Sequence, residues 1–266
     1  MFPADLPPVS NRALYVCRLL SKWLTFFAFG AGSIVVSAVV LPSMRLALHP
    51  KARFQKYGRR FVSRALGFFV LFMRYTGMAK LEPGDRKEYR RLSSKIVVAN
   101  HPSLVDPLLL LSLLPNADTI VKPYRNNPFL AGVVRQLFIL GSNDPEKVLQ
   151  SCIESLAKGN CLVIFPEGTR TPRGGSNILK KGAARIALAS GCGIVPVHFG
   201  GTDKFGLGKK DPWTGYNPTE RYVYRLTMGA EINPENYRHL PPPAAAKRMT
   251  EDMAAFLFPV SENVGR

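Results

Sequence analysis

Acidic residues, cysteine and histidine are all scarce in this sequence. Of its 266 residues, 18 are Asp or Glu and 36 are Lys or Arg, which gives a formal net charge of +18. A chain this basic needs an acidic partner, and an anionic membrane surface, nucleic acid and an acidic carrier protein all qualify. The charge alone leaves these three classes open.

The few cysteines and histidines form no recognisable metal or disulfide pattern. The four cysteines have no CxxC spacing, and the four histidines include no HExxH pair. The sequence therefore predicts no metal site, no cofactor and no disulfide framework, and it favours a reducing compartment. It also lacks the GxSxG elbow of the α/β-hydrolases, so a serine nucleophile of that type is not expected.

One long stretch contains no charged residue. It runs from Trp23 to Met44 between Lys22 and Arg45, and as a helix it is long enough to cross a hydrocarbon core of about 30 Å. A signal peptide is the alternative, but no convincing small-residue cleavage site lies near Pro42. We predict a membrane anchor in the cell membrane. The basic excess after this segment places the rest of the chain on the cytoplasmic face if it crosses once; a helical hairpin or an in-plane pair of helices is also open.

Residues 45–75 combine basic side chains with phenylalanine. At helical spacing they form two neighbouring stripes, one of Arg53, Lys56, Arg60, Arg64 and Arg74, the other of Phe54, Phe61, Phe68 and Phe72. This pattern suits a helix lying in an anionic phospholipid interface, with its rings among the acyl chains and its arginines on the headgroups. The alternative is an amphipathic helix that packs on the protein's own core.

A buried strand over residues 96–99 leads into a turn that holds His101 and Asp106. Asp106 followed by Pro107 predicts a helix start, with the Asp106 carboxylate accepting free N–H groups of the first turn. A spacing of five does not align two residues on one helix face, but a tight turn can bring them together. Asp106 would then orient His101, whose other ring nitrogen takes a proton from a substrate hydroxyl. The alternative is an ordinary turn with a helix cap.

A second apolar strand, residues 162–165, runs into another charged turn. This turn contains Glu167, Gly168, Thr169 and Arg170. Open α/β sheets build their sites at the carboxyl ends of their strands, so the two turns are expected to form one site.

The remaining pattern alternates between strands and helices after a charged connector over residues 81–94. Further strands are predicted at 119–122, 138–140, 194–199 and 221–228, and helices at 129–137, 145–157, 180–190 and 243–258. We therefore predict an α/β fold with a mixed central sheet flanked by helices, behind an N-terminal hydrophobic membrane-anchoring segment. Residues 1–82 are assigned to the anchor and the interfacial helix, and residues 83–266 to a catalytic domain.

Three motifs, in order along the chain, resemble those of the glycerolipid acyltransferases, the lysophospholipid or 1-acylglycerol-3-phosphate acyltransferase family. His-Pro-Ser-Leu-Val-Asp at residues 101–106 is similar to the first motif, Phe-Pro-Glu-Gly-Thr-Arg at 165–170 to the third, and Val-Pro-Val-His at 195–198, leading into two glycines, to the fourth. The resemblance implies transfer of a fatty acyl group from acyl-CoA or acyl carrier protein to the hydroxyl of a lysolipid acceptor, most commonly 1-acylglycerol-3-phosphate, in phospholipid biosynthesis or remodelling.

The resemblance also implies roles for individual residues. His101 is the general base and Asp106 its partner, while Glu167, Gly168, Thr169 and Arg170 bind the acceptor, with the Arg170 guanidinium on its phosphate. Lys122 is a further candidate for that phosphate or for the donor's phosphopantetheine, the alternative being a solvated lysine. Pro196 would shape a turn on the acyl-donor side. His198, a lone histidine in an apolar strand, is expected to be a hydrogen-bonded core residue.

The second motif of the family departs from its usual form here. It usually ends a strand with an arginine that helps to hold the acceptor's phosphate, whereas residues 136–144 read QLFILGSND and contain none. Another lysophospholipid, a lyso-aminolipid or a specialised glycerolipid therefore stays open as acceptor. A lipid or thioester hydrolase and a noncatalytic membrane adaptor are the alternatives of other classes. Nucleic acid is not expected as a partner, because the basic residues cluster beside the membrane segment.

Overall fold

The structure, a computed structural model, describes residues 6–121 and 128–259. Within these ranges seven strands form one sheet in the order β1-β7-β6-β2-β5-β3-β4. Their bounds are β1 Ala79–Glu82, β2 Ile96–Ala99, β3 Ala117–Val121, β4 Ile139–Leu140, β5 Cys161–Ile164, β6 Ile194–Gly201 and β7 Tyr222–Met228. β6 and β7 pair antiparallel and the other neighbours pair parallel, so the mixed sheet predicted from the sequence is confirmed.

Nine α-helices surround the sheet in the part of the chain that the structure describes. They are α1 Arg12–Val35, α2 Leu41–Ala47, α3 Lys51–Tyr75, α4 Arg86–Arg91, α5 Asp106–Leu113, α6 Pro128–Leu137, α7 Pro145–Ala157, α8 Gly182–Ser190 and α9 Pro242–Leu257. A π-helical turn, Val36–Val40, joins α1 to α2, and a 3-10 turn, Pro234–Tyr237, precedes α9.

The central strands are buried on both faces, as expected when helices cover each side of a parallel sheet. In β2, Val97 and Ala99 face a core shared with α3 and α5, whereas Ile96 and Val98 face a core shared with α8 and α9. Successive strand residues point to opposite faces, so one short apolar run fills both cores. β2 is thereby fixed at the middle of the molecule.

The two N-terminal helical segments lie against one side of this domain. Among the described residues, Arg12–Ala47 is the one helical stretch long and apolar enough to cross a membrane. α3 buries Phe54, Val62 and Val70 in the core, so it packs on the protein itself along one side. Its outer side exposes Phe68 and Tyr75, which are 72% and 85% accessible.

The charged connector predicted over residues 81–94 contains the end of β1 and the whole of α4. β1 pairs with β7 at the edge of the sheet, and α4 begins after Asp85, whose side chain accepts from the backbone N–H of Lys87. β1 has an alternating but short and lysine-containing sequence, which gives little strand signal. It ends at Glu82, so a strand of the central sheet belongs to the segment that the sequence assigned to the anchor.

Candidate active site

Two neighbouring parallel strands bring the first and third motifs to the same edge of the sheet. Val98 of β2 lies in register with Ile164 of β5, and each strand ends in a charged turn. The backbone N–H of His101 in the first turn donates to Glu167 Oε1 in the second over 2.9 Å. The juxtaposition expected from strand polarity is therefore present in the structure.

His101 and Asp106 are in direct contact across the turn. Nδ1 of His101 lies 2.9 Å from Oδ2 of Asp106, and the exposed fractions of the two side chains are 18% and 0%. A carboxylate only accepts hydrogen bonds when ionised, so this contact assigns the proton to Nδ1 and leaves Nε2 as the basic nitrogen. The imidazole thus has its orientation fixed on one side and is accessible on the other.

Asp106 begins α5, but it does not cap it as the sequence predicted. Val105 occupies the cap position, and its carbonyl accepts from the backbone N–H groups of Leu108 and Leu109. The Asp106 carboxylate turns back instead, because it accepts from the N–H and the hydroxyl of Ser103 at 2.6 and 2.5 Å as well as from His101. The interaction that prevents capping is the one that orients the histidine.

A buried polar chain continues beyond Ser103. The hydroxyl of Tyr224 in β7 donates to Ser103 Oγ over 3.0 Å, and Lys204 Nζ lies 4.6 Å from the centre of the Tyr224 ring. Lys204 is 7% exposed and donates to the carbonyls of Val223, at 2.9 Å, and Thr202. Burial lowers the pKa of the Lys204 ammonium to about 8, against the attraction of Asp106. These partners come from distant segments, and sequence reasoning missed them.

Asn100 fixes the backbone just before His101. It is 4% exposed, its Nδ2 donates to the Phe199 carbonyl over 3.0 Å, and its Oδ1 accepts from the Phe199 N–H over 2.6 Å. The side chain thereby continues the pairing of β2 with β6 past the end of β2. An amide directly after an apolar strand and before a candidate base is the signal that would have identified it.

Glu167 faces inward. Its side chain is buried, with Oε1 accepting from the His101 N–H and from Thr171 Oγ1 at 2.6 Å, and Oε2 accepting from Asn177 Nδ2 at 2.7 Å. The Thr171 N–H also donates to the His101 carbonyl over 2.7 Å. Glu167 therefore holds the two turns together. Thr171 and Asn177 are further site residues that sequence reasoning did not identify.

The rest of the second turn is more open. Gly168 is exposed with a φ of +67°, and the Nζ of Lys180 lies 2.8 Å from where a Cβ at Gly168 would stand. Thr169 and Arg170 are half-buried, and Arg170 Nη1 donates to the carbonyls of Leu207 and Gly208 at 2.9 and 2.8 Å. The positive φ favours glycine at this point of the turn.

The remaining predicted site residues lie elsewhere. Lys122 is outside the described residues. Pro196 is not in a turn: it is buried within β6, in register with Val98. Its carbonyl accepts from the backbone N–H of Gly229, just past the end of β7. Proline has no backbone N–H to donate, and Pro196 lies where the hydrogen-bond ladder between β6 and β7 stops. A strand tolerates proline at such a position. His198 is half-buried and donates from Nδ1 to the Leu257 carbonyl over 2.9 Å, on the side of the sheet covered by α9.

Among the described residues, no group of three or more His, Cys, Asp or Glu side chains is gathered that could hold a metal ion. The chemistry that these residues can perform is proton transfer by an oriented imidazole, next to a turn that carries Arg170 and is contacted by Lys180.

Comparisons with known proteins point to the same family as the motifs. Residues 85–200 match the family described as Acyltransferase. A chloroplastic 1-acyl-sn-glycerol-3-phosphate acyltransferase, BAT2 of Brassica napus, is 30% identical over 183 residues, which are 64% of this chain and 51% of the relative. The human 1-acyl-sn-glycerol-3-phosphate acyltransferase beta is 28% identical over 159 residues, 56% of each chain. The chain thus spans about half the length of these curated relatives.

A solved structure with the same fold covers nearly the whole chain. It is the 1-acyl-sn-glycerophosphate acyltransferase PlsC from Thermotoga maritima, with a TM-score of 0.68 at 20% identity over 93% of this chain and 99% of that one. The matched segment and the ordered motifs identify residues 85–200 as a segment of the Acyltransferase family, and the chain shares the fold of PlsC.

Proposed function

We propose that this protein is a membrane-associated O-acyltransferase that transfers a fatty acyl group from a thioester donor to the hydroxyl of a lysoglycerolipid. The observation that carries the proposal is the contact between His101 Nδ1 and Asp106 Oδ2, 2.9 Å long, with the carboxylate fully buried and the imidazole accessible. A general base oriented in this way activates an alcohol without a protein nucleophile.

The proposed reaction needs one proton to move twice. Nε2 of His101 takes the proton from the acceptor hydroxyl as its oxygen attacks the thioester carbonyl. The tetrahedral intermediate then collapses, the carbon–sulfur bond breaks, and the imidazolium returns the proton to the leaving thiolate. Buried Asp106 stabilises the imidazolium between these steps, because its negative charge lies next to Nδ1. The products are the acylated lipid and the free thiol of coenzyme A or acyl carrier protein.

We propose 1-acylglycerol-3-phosphate as the acceptor, because the relatives in Brassica napus and human are named for this substrate. Arg170 supplies a guanidinium near the site, and Lys180 adds an ammonium over the Gly168 turn. These cations suit a phosphate even though the arginine of the usual second motif is absent. Acyl-CoA and acyl carrier protein both fit as donors, and the experiment below distinguishes them.

The membrane anchor in this proposal is the helical stretch Arg12–Ala47 together with the outer side of α3. Leu20, Leu24 and Phe27 on α1 are 62%, 53% and 76% exposed, whereas Leu41 is fully buried in the domain core. Lys22, near the other end, is buried against the domain as well. Because both ends pack on the same domain, we favour an anchor lying in the plane of the membrane over a single crossing. We place the domain on the cytoplasmic face, where thioester donors are made.

The proposal is tested by acyl transfer in detergent from radiolabelled acyl-CoA and, separately, from acyl carrier protein to a panel of lysolipids. Wild type is compared with His101→Ala. Product with one acceptor, lost in the variant, would support the proposal and identify both substrates. Activity that survives in His101→Ala would remove this base, and free fatty acid as the sole product would indicate a hydrolase.

A further inference from the structure

The loop between β6 and β7, residues 202–221, presents a tryptophan beside the anchor helix. Trp213 is 58% exposed, and its ring centre lies 6.2 Å from that of Trp23 and 5.8 Å from that of Phe26, both on α1. The exposed ring therefore extends the apolar surface of α1 onto the catalytic domain. Lys209 and Lys210 are exposed in the same loop.

A buried lysine fastens this loop to the helix. Lys22 of α1 is fully buried, and its Nζ donates to the carbonyls of Trp213 and Gly215, each over 2.6 Å. Arg18, one turn earlier, donates to the Thr219 carbonyl over 2.9 Å. Breaking these hydrogen bonds would leave a buried ammonium without partners, which is energetically unfavourable. The loop and the helix therefore form one surface.

The other side of the loop touches the candidate site. The Leu207 carbonyl accepts from Arg170 Nη1 at 2.9 Å and from the backbone N–H of Leu104, in the turn between His101 and Asp106, at 3.1 Å. Within the loop, Asp211 accepts from the N–H groups of Gly206 and Gly208, each over 2.9 Å. The loop is thus a braced segment with the anchor on one side and the site on the other.

We infer that Trp213, Lys209 and Lys210 form a second membrane-contacting surface, which binds the headgroup region of an anionic phospholipid bilayer. Tryptophan concentrates at this depth because its ring is amphipathic, and lysines beside it are attracted to anionic headgroups. The surface is continuous with exposed Leu20 and Phe27 of α1. This inference rests on the proposed membrane association. It places the two turns that carry His101 and Arg170 at the bilayer surface, where a lysolipid presents its headgroup.

Tryptophan fluorescence tests this inference directly, because the chain contains two tryptophans. Trp23→Phe keeps an aromatic ring on α1 and leaves Trp213 as the emitter, whereas Trp213→Phe leaves Trp23. Each full-length variant is reconstituted into phosphatidylglycerol–phosphatidylcholine vesicles with and without brominated acyl chains. We expect Trp213 to lose most of its emission in brominated vesicles. We also expect acrylamide to quench Trp213 less in vesicles than in detergent-free samples that contain little or no lipid.

A matched control carries its tryptophan on the opposite side of the sheet. Lys247 is 69% exposed on α9, so Trp23→Phe/Trp213→Phe/Lys247→Trp should keep its emission in the same brominated vesicles. If Trp23 is quenched and Trp213 is not, the loop proposal is overturned while membrane association stands. If neither tryptophan is quenched, the result contradicts the proposed membrane association as well. If Trp213 responds to added acyl carrier protein and not to brominated lipid, the surface binds the donor protein and the inference is wrong.

Discussion

The hydroxyl of Tyr224 lies 3.0 Å from Oγ of Ser103, and Ser103 in turn donates to Asp106 Oδ1. Tyr224 is fully buried in β7, 121 residues along the chain from Ser103. The Ser103 hydroxyl occupies Oδ1, while Oδ2, which also accepts from the Ser103 N–H, is directed at His101. The hydrogen bonds that begin at Tyr224 in β7 therefore fix the geometry of the candidate base.

This chain of hydrogen bonds predicts graded losses of activity. Ser103→Ala removes a hydrogen bond to a buried carboxylate, which is typically about 1.5–3 kcal/mol, so kcat should fall roughly 10- to 100-fold. Tyr224→Phe removes a neutral bond one step further away, and we expect a fall of about fivefold. Steady-state kinetics would give the split: kcat should change and the acceptor KM should not.

Tyr222→Phe is the matched control for Tyr224→Phe. Tyr222 lies on the same face of β7, is equally buried, and donates to the Phe205 carbonyl over 2.6 Å. Its loss should cost similar stability and leave kcat near the wild-type value. Equal effects of the two variants on kcat would contradict a positioning role for Tyr224.

Arg170 is expected to act on acceptors that carry a phosphate. Arg170→Ala should raise the KM for 1-acylglycerol-3-phosphate about 10- to 100-fold, since it removes a charge-assisted contact, whereas the KM for monoacylglycerol should change little. Arg170→Lys should rescue only partly, because the planar fork that also holds the Leu207 and Gly208 carbonyls is lost. The measurement is the KM of each variant for each of the two acceptors, by steady-state kinetics.

A nearby arginine provides the comparison for that experiment. Arg173 lies in the same segment and pairs with Asp203 at 3.0 Å. Arg173→Ala should leave both KM values close to wild type. An Arg170→Ala enzyme whose KM is unchanged for every acceptor would show that Arg170 has no role in phosphate binding.

The burial of Lys204 predicts a dependence of stability on pH. Its pKa is about 8 in the folded chain and near 10.5 when unfolded, so between these values the unfolded state binds a proton that the folded state does not. The Lys204 contribution to the free energy of unfolding is therefore least favourable below pH 8 and rises with pH through that interval. The gain should reach about 1.4 kcal/mol for each pH unit within it.

The measurement compares wild type with Lys204→Met by thermal or denaturant unfolding from pH 7 upward. Burial raises the pKa of the Cys152 and Cys161 thiols to about 12 and 11, so their contributions fall as pH rises above their usual value of 9.0. Both proteins share these thiols, and the difference between the two curves cancels them. The free energy of unfolding of wild type should rise relative to that of Lys204→Met as pH increases above 8. Parallel curves would contradict the assigned pKa shift.

The sequence was sufficient to predict where the two candidate site turns lie. The apolar runs before His101 and Glu167 are both central strands, and strand polarity brings the two turns together at one edge. Two helix ends have local signals of the same kind: Asp144 caps α7, and Gly191 ends α8 with a φ of +71°. These features depend on residues a few positions apart, which is the range over which caps, turns and periodicity act.

The site contacts that the sequence did not predict depend on pairing between distant segments. Tyr224, Lys204 and Asn177 reach the site only because β7 and two loops fold against it, and no local pattern marks such contacts. Asp106 differs for a local reason: its residue type also predicted a helix cap, but Ser103 and His101, three and five residues earlier, occupy its oxygens. For α3, periodicity gave the apolar stripe without indicating whether protein or lipid would cover it.

The packing of α3 on the domain leads to the last prediction. Arg59 in α3 is buried, and its Nη2 lies 2.6 Å from Asp118 Oδ2 in β3 while its Nε donates to the Leu137 carbonyl over 3.2 Å. Removing one partner of a buried ion pair strands the other charge, so Arg59→Ala should lower the free energy of unfolding by about 3–5 kcal/mol. Arg64→Ala, an exposed arginine on the same helix, should change it by less than about 0.5 kcal/mol. Unfolding of both variants in one detergent makes the comparison, and equal stabilities would mean that α3 does not pack on β3 in solution. The predicted difference distinguishes the two interpretations of α3, because a helix held only by lipid would respond alike to the loss of either arginine.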